Sequence, residues 1–485
     1  MKVISSFSKD ELKKNFTDKF LEDISKEALF KNKIIFKIDN SAKGGKSLIQ
    51  LKIFSPNNKL PLSSIFPIID NLGLSVMDIA TFETNVHQSE IEKKLYIYYV
   101  STEPKPKLGK ITFNNKLRLN LEEGLEKIWN GTMENDSFNS LIFYTSINYR
   151  EANLLRAYAK YLKQINFEFN PKCILDVLLK HPNLTRDIVK LFNIRFDPNL
   201  NYTVAIEKGV LTTITAQLSK ISAFAEDKIL SAYLNLILAT KRTNFFVTDQ
   251  NGQYRDFISL KIYSKEIEDM PLPKPEIDTF VYSAKFEAIH LREGKVARGG
   301  IRWVDSLEGF GRVILDLMKT QMTKNAIIVP LGCKGGFVVK QGSESREDYF
   351  KLGTECYKNF LRGILDITDN IVDEKVIHPT NVVRHDEDDP YFVVAADKGT
   401  ATFSDFANEI SKEYNFWLGD AFASGGSVGY NHKKMGITAK GAWVCVREHF
   451  KVVCVPGYSG EFKVFSINPD KDVFKIGRAS CRERV

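Results

Sequence analysis

Apolar and polar positions change their period several times along this chain, and each change marks an element. Residues 1–32 interleave lysines and acids around Phe16, Phe20, Leu21 and Ile24, the three- and four-residue spacing of a helix. An apolar, strand-like run follows at 33–38, then the stretch NSAKGGK with its flank at 39–46, then the strand SLIQLKIFS. A turn at Pro56-Asn57-Asn58, a helical pattern over 62–72 and strands over 75–82 and 94–100 (KLYIYYV) complete a βαββ order. That order is compatible with a small α+β sandwich of the ferredoxin-like kind. Gly45-Lys46-Ser47 matches the end of a phosphate-binding loop. The motif's first glycine would fall at Asn40, however, and a strand rather than a helix follows, so the segment reads as a plain turn.

From about 118 to 200 the period is helical, with Leu154, Leu155, Ala157, Tyr158, Tyr161 and Leu162 on one face, and Pro171 and Pro182 punctuating the helices. Phe167, Phe169, Phe192 and Phe196 read as packing residues. A helix over 227–238 leads to a polar stretch at 240–243 and a strand over 244–247. The clearest hinge is 270–275 (MPLPKP), where Pro271, Pro273 and Pro275 enforce an extended connection. Beyond it, 279–292 reads as strands carrying a structural His290. A helix spans 308–324, with Phe310, Val313, Ile314, Leu317 and Met318 on its apolar side, and 326–330 (AIIVP) is a buried strand. Gly332-Cys333-Lys334-Gly335-Gly336 then turns into a strand over 337–340.

Length changes this picture by requiring two to four domains, since 485 residues exceed a single core. Apolar content of 43% and charged content of 26% are those of a soluble globular protein. No apolar run reaches the roughly 18 residues of a membrane span, and the N-terminus lacks a signal peptide's apolar core. Six cysteines without a close pair argue against a disulfide framework or zinc site and for a reducing cytoplasm. The net charge of +8 is spread widely, which favours a small anionic substrate over a nucleic-acid track. The last ten residues, IGRASCRERV at 476–485, look like a translated sequencing adapter; they are set aside as non-native, with the natural gene expected to continue past Lys475.

Candidate chemistry concentrates at 297–340. Two glycine pairs, Gly299–Gly300 and Gly335–Gly336, each stand beside a cation, Arg298 and Lys334, and Lys324 lies between them. Bare backbone lets a ligand come close, and converging cations predict an anion. The acids at 386–389 read as a solvated turn, and no metal is expected. Ser424 to Gly429 is glycine-rich, but it does not follow a strand and open a helix, so it is not a dinucleotide fingerprint.

These motifs resemble the substrate domain of glutamate dehydrogenases, in particular the large-subunit, NAD-dependent class. ARGGIRW stands where small hexameric members have KGGLRF, Lys324-Asn325 where they have a lysine after a long helix, and GCKGG for their GGKGG or GAKGG. RHDEDDPYFVVAADKGTATFSD fits the family's aspartate-bearing loop. The likeness extends upstream through LRAYAKYL, RFDP and LILATKRTNFF, covering roughly 143–450. The 1–105 part resembles the ACT-like modules ahead of the catalytic core in the large class; such modules bind small effectors or pair subunits, and both roles stay open.

The resemblance implies an α/β and α+β multidomain chain: an ACT-like module at 1–105, a mainly helical region at 106–270, an α/β substrate domain at 271–430 and the start of a Rossmann-like NAD domain at 431–475. It implies oxidative deamination of L-glutamate to 2-oxoglutarate by a cytoplasmic homo-oligomer, with no membrane or nucleic-acid partner. Lys334 would be the catalytic lysine, its pKa lowered by crowding cations and partial burial so that its amine activates water. Asp397 would carry protons to and from the substrate nitrogen. Arg298 and Lys324 would take the two carboxylates, with Gly299, Gly300 and Gly335 lining the substrate and Thr438 facing the nicotinamide. Residues 451–475 lack the glycine turn that a pyrophosphate needs, so the chain is expected to be inactive alone. The rival readings are a leucine or phenylalanine dehydrogenase and a non-catalytic, amino-acid-binding regulatory protein.

Overall fold

The structure is a computed structural model and describes residues 32–43, 46–88, 91–105, 111–324, 331–342, 345–423 and 425–429, with isolated positions between 436 and 444. The helix expected at 1–32, the strand at 326–330 and the segment 451–485 lie outside the described residues, apart from Asn32.

β1 (Ile35–Lys43) and β2 (Lys46–Pro56) pair in antiparallel register from Ile35–Phe54 to Lys43–Lys46. α1 (Leu62–Asn71), β3 (Leu74–Gln88) and β4 (Ile91–Pro104) follow, giving an antiparallel sheet of order β1-β2-β4-β3. The expected βαββ unit is therefore present, with the apolar run at 33–38 lengthened into an added edge strand. Alternation along the strands sends Ile49, Leu51, Ile53, Tyr98 and Val100 to the face that packs on Ile65, Ile68 and Ile69 of α1. Phe54, Phe82, Leu95 and Ile97 form a separate small cluster.

Seven helices come next: α2 (Asn115–Trp129), α3 (Ser140–Thr145), α4 (Tyr149–Gln164), α5 (Pro171–Lys180), α6 (Pro182–Phe196), α7 (Val204–Leu218) and α8 (Phe224–Ala239). The long apolar pattern around 140–165 is two helices, because Ser146 adopts a left-handed φ of 56° and Asn148 with Glu151 starts α4 afresh as a capping box. Pro171 and Pro182 each open a helix, where a missing N–H costs no hydrogen bond. α4 is the pillar of the chain. Its Tyr158 and Tyr161 hydroxyls reach Thr240 and Asp278 at 2.9 Å, tying the helices to the next sheet.

That second sheet runs β14-β10-β11-β8-β7-β6-β5, with β9 also on β11. Its strands are β5 (Thr240–Thr243), β6 (Phe257–Tyr263), β7 (Ile277–Ser283), β8 (Phe286–Arg292), β9 (Ala297–Arg298), β10 (Gly300–Trp303), β11 (Leu331–Val339) and β14 (Ala395–Ala396); β12 (Asn370–Val372) and β13 (Lys375–Ile377) form a small hairpin. Three expectations are corrected. The strand foreseen at 244–247 lies earlier, in the polar residues of β5, because Arg242 there is buried with its charge met by carboxylates. The proline stretch 270–275 is not a hinge between domains, since it connects β6 to β7, hydrogen-bonded neighbours in one sheet. GCKGG is not a turn but the body of β11, held between antiparallel β8 and parallel β10.

Helices cover both faces. On one, α9 (Phe310–Lys324) buries Phe310, Ile314 and Met318 against Ile289, Leu291 and Val338, each worth about 1.5–3 kcal/mol of burial. On the other lie α10 (Arg346–Leu365) and α11 (Ser404–Glu413), whose Tyr357, Phe360, Leu361 and Ala407 pack with Phe337 and Phe403. No helix among the described residues is long and apolar enough to cross a membrane.

The acids at 386–389 also need correction. Glu387 and Asp388 are exposed, but the Asp386 and Asp389 side chains are buried in an ion network beneath the sheet. Arg242 of β5 donates to Asp386 at 2.6 Å and to Asp369 at 3.0 Å. Lys261 of β6 donates to Asp386 and Asp389, each at 2.6 Å. Arg292 of β8 pairs with Asp389 and also donates to the Tyr391 carbonyl at 3.2 Å. Three cations and three carboxylates neutralise one another. Burial alone would raise the Asp389 pKa, yet Arg292 and Lys261 hold it well below the carboxylate range. Asp369, His378 and Asp388 bring three possible metal ligands within 4.8 Å, but Arg242 and Arg384 already bind the two carboxylates.

Candidate functional site

The site is built by strand parity. In β11 the side chains of Lys334, Gly336 and Val338 share the face covered by α9, and the parallel register sets Arg302 of β10 beside Gly336 and Arg298 of β9 beside Gly332. β9 and β10 keep one register across Gly299, so Arg298, Gly300 and Arg302 alternate onto that same face. β14 continues the pattern with Ala395 opposite Gly300 and Ala396 opposite Ile301, and Asp397 follows at once. Arg302 and Lys334, and Lys334 and Asp397, far apart in sequence, are thereby set on one surface.

The chemical centre is the contact of Lys334 Nζ with Asp397 Oδ2, joined by Arg302, whose Nε and Nη2 donate to the two Asp397 oxygens at 3.1 and 3.3 Å. The Lys334 side chain is 7% exposed and that of Asp397 19%. Burial by itself would raise the Asp397 pKa; hydrogen bonds from Arg302 and Lys334 and from the Lys398 backbone outweigh it and hold the carboxyl below its usual value. The neighbour of Lys334 is thus a carboxylate and not the crowd of cations expected. The loop bearing Asp397 is strapped down: Thr400 Oγ1 donates to the Ile301 carbonyl at 2.6 Å and accepts from Asp397 N at 3.2 Å, and Trp303 N donates to Lys398 O at 3.1 Å.

Glycine serves here for room. A Cβ at Gly300 would lie 3.1 Å from both the Ala396 carbonyl and Asp397 Cβ, so a side chain there would require the loop to give by a few tenths of an ångström. Gly335 makes space for Ile301 and His290, and Gly336 for Ile314 of α9. The glycines expected to receive a ligand therefore bring strand, loop and helix together around the charged trio. Arg298 is exposed and lines an open cleft of about 430 Å³ with Tyr391, Val393, Asp420, Val428 and Gly429. Lys324 closes α9, on the Lys334 face; its side chain, like Thr438, lies outside the described residues.

Arg302 escaped the sequence reading. It sits in ARGGIRW four residues after Arg298, and an even spacing in a strand was the available signal. His290 is on the opposite face, fully buried, with Nε2 3.0 Å from Cys333 Sγ and Nδ1 without a hydrogen-bond partner among the described residues. Burial, aided by Arg292, pushes its pKa down to about 3; for the Cys333 thiol, burial wins over the opposing charge of Arg292 and pushes it up to about 12. It is a neutral structural histidine. An unfolded histidine titrates near 6.5, so the stability gained by keeping His290 neutral is complete above that pH and drains away as pH falls towards 3. His290→Gln should therefore lose about 3 kcal/mol less unfolding free energy than the parent chain between pH 7 and pH 4. Urea titrations at the two pH values measure this, and parallel losses would refute it.

The chain is similar to known proteins over most of its length. A family model described as bacterial NAD-glutamate dehydrogenase, catalytic domain, matches residues 213–482. Two more, described as glutamate dehydrogenase helical motif 3 and ACT3 domain, match 133–198 and 36–108. The chain is 43% identical over 439 residues to an NAD-specific glutamate dehydrogenase of Halomonas elongata, covering 88% of this chain and 26% of that protein. It is 45% identical over 413 residues to one from Pseudomonas aeruginosa (84% and 25%) and 40% identical over 451 residues to one from Mycobacterium tuberculosis (90% and 28%). The chain spans about a quarter of the length of these relatives.

Proposed function

Since the chain belongs to the bacterial NAD-glutamate dehydrogenase family, we propose that it carries the substrate side of a centre that oxidatively deaminates L-glutamate to 2-oxoglutarate and ammonia. The observation that carries this reading is the Lys334–Asp397–Arg302 trio, its lysine buried and its aspartate and arginine partly exposed, on the sheet face that α9 covers. When bound, NAD supplies the acceptor for the hydride leaving the α-carbon; Thr438 and most of residues 431–475, assigned to hold it, lie outside the described residues.

The chain's own groups handle charge and protons. Arg298, at the cleft, and Lys324, at the end of α9, take the substrate carboxylates through charge-assisted bonds. Asp397, kept ionised by Arg302, accepts a proton from the substrate's ammonium group. Lys334 removes a proton from the water that adds to the imine carbon. Asp397 returns its proton to the nitrogen of the resulting carbinolamine, the C–N bond breaks to release ammonia, and the hydroxyl proton passes to Asp397 as the carbonyl forms. The protons left on Lys334 and Asp397, which are directly hydrogen-bonded, are released to solvent. Arg302 is a positioning residue in this scheme, because it touches Asp397 and not the reacting atoms. The 1–105 module is assigned to effector binding or subunit pairing in a cytoplasmic homo-oligomer.

Substrate choice tests the reading. In the protein that contains this segment, kcat/KM for NAD reduction with glutamate should exceed that with leucine or phenylalanine by about 100-fold or more, since an aliphatic side chain leaves a cation unpaired. Equal use of leucine would favour the apolar-substrate dehydrogenase, and amino-acid binding without NAD reduction would favour the regulatory protein.

A further inference from the structure

A second pocket lies away from the Lys334 face, where α2 and α4 meet the loop that leads into β6, and it encloses about 250 Å³. Its walls include Arg150, Lys127, Arg255, Tyr254, Glu123 and Asp256. Arg150 sets its character. This side chain is 9% exposed, sits in the first turn of α4, and has no carboxylate within salt-bridge distance among the described residues. Its guanidinium is stacked between the rings of Phe245 and Tyr254, with centroids 4.4 and 4.0 Å away. One terminal nitrogen donates to the Phe245 carbonyl and the other, at 3.5 Å, to the Arg255 carbonyl, while Nε is buried without a partner.

A cation in that position is doubly unfavoured by the chain alone. Burying a charge without a counter-ion is costly, and the N-terminal end of a helix repels positive charge. Lys127 also lacks an ion pair among the described residues, its ammonium lying 5.4 Å from the centre of the Tyr149 ring. Arg255, by contrast, is already bound to Asp366. The acids Glu123 and Asp256 are exposed at the rim and reach neither Arg150 nor Lys127 within 4.0 Å. Two cations short of a partner, aromatic walls and this volume point to one kind of occupant.

We infer that this pocket binds a small dicarboxylate of about four carbons, one carboxylate on Arg150 and the other on Lys127. The size fits, since a cavity of about 150 Å³ already holds benzene. The site is distinct from both the Lys334 centre and the N-terminal module.

The test is isothermal titration calorimetry of this chain with succinate, with inorganic phosphate as the comparison anion. Saturable one-to-one binding is expected, weakened about ten-fold or more by Arg150→Met and tightened about three-fold by Glu123→Gln or Asp256→Asn, each of which removes a rim charge that repels the ligand. The rim variants leave the packed interior untouched, so the inference stands or falls even if Arg150→Met does not fold. No saturable heat up to about 10 mM succinate would overturn it. Binding indifferent to both rim variants would place succinate elsewhere and overturn it too, and phosphate binding as tightly as succinate would overturn the dicarboxylate assignment.

Discussion

Lys334→Ala should cut glutamate-dependent NAD reduction about a thousand-fold or more while the protein stays folded. Both halves follow from the geometry. The amine is the group proposed to take the proton of the attacking water, and positioned proton transfer contributes about 10²–10⁴ in rate. The fold is spared because Asp397, the partner left behind, keeps both oxygens on Arg302 and its backbone bond to Thr400. The measurement is kcat beside the urea midpoint. Near-normal turnover would remove Lys334 from the chemistry; loss of the folded state would mean that the Lys334–Asp397 pair is structural first.

The largest stability effect is expected at Asp389. Asp389→Leu leaves Arg292 without its carboxylate and Lys261 with only Asp386, all within side-chain positions no more than 7% exposed. Breaking a buried ionic set from one side costs about 3–5 kcal/mol, because the orphaned charge has lost its water as well as its partner. Asp388→Leu, one residue earlier and 52% exposed, should change the unfolding free energy by under about 1 kcal/mol. Denaturant unfolding of the two variants side by side decides the matter. A loss below about 1 kcal/mol at Asp389 would show that the network is solvated after all.

Period and punctuation in the sequence were enough for the N-terminal βαββ order, the helices opened by Pro171 and Pro182 and the α9 amphipathic face, whereas Lys334 and Asp397 were joined only through the family resemblance. What stayed hidden has physical causes. β5 reads as polar because a strand can bury Arg242 once Asp369 and Asp386 supply its counter-charge, and those lie more than 120 residues away. The proline stretch 270–275 looks like a hinge because local stiffness says nothing about whether the flanking strands pair with each other. GCKGG looks like a turn because glycine's backbone freedom is visible in sequence, whereas the pressure of Ile301, His290 and Ile314 on a strand is not. Arg302 went unnoticed because its value comes from register: only β10 beside β14 brings it to Asp397.

The shared face of β9–β10, β11 and β14 also limits how such a chain can change length over time. Side chains along a strand invert with every residue, so deleting one position between Lys334 and Val339, with the far end of the strand held in register, would turn the lysine towards the α10 side, away from Asp397, without replacing a single residue of the trio. Losses or gains that spare the centre have to come in twos within β11, or fall at its exposed exit around Gln341 and Gly342. The site therefore has a reading frame of its own, two residues long, written in the backbone and not in the identity of any side chain.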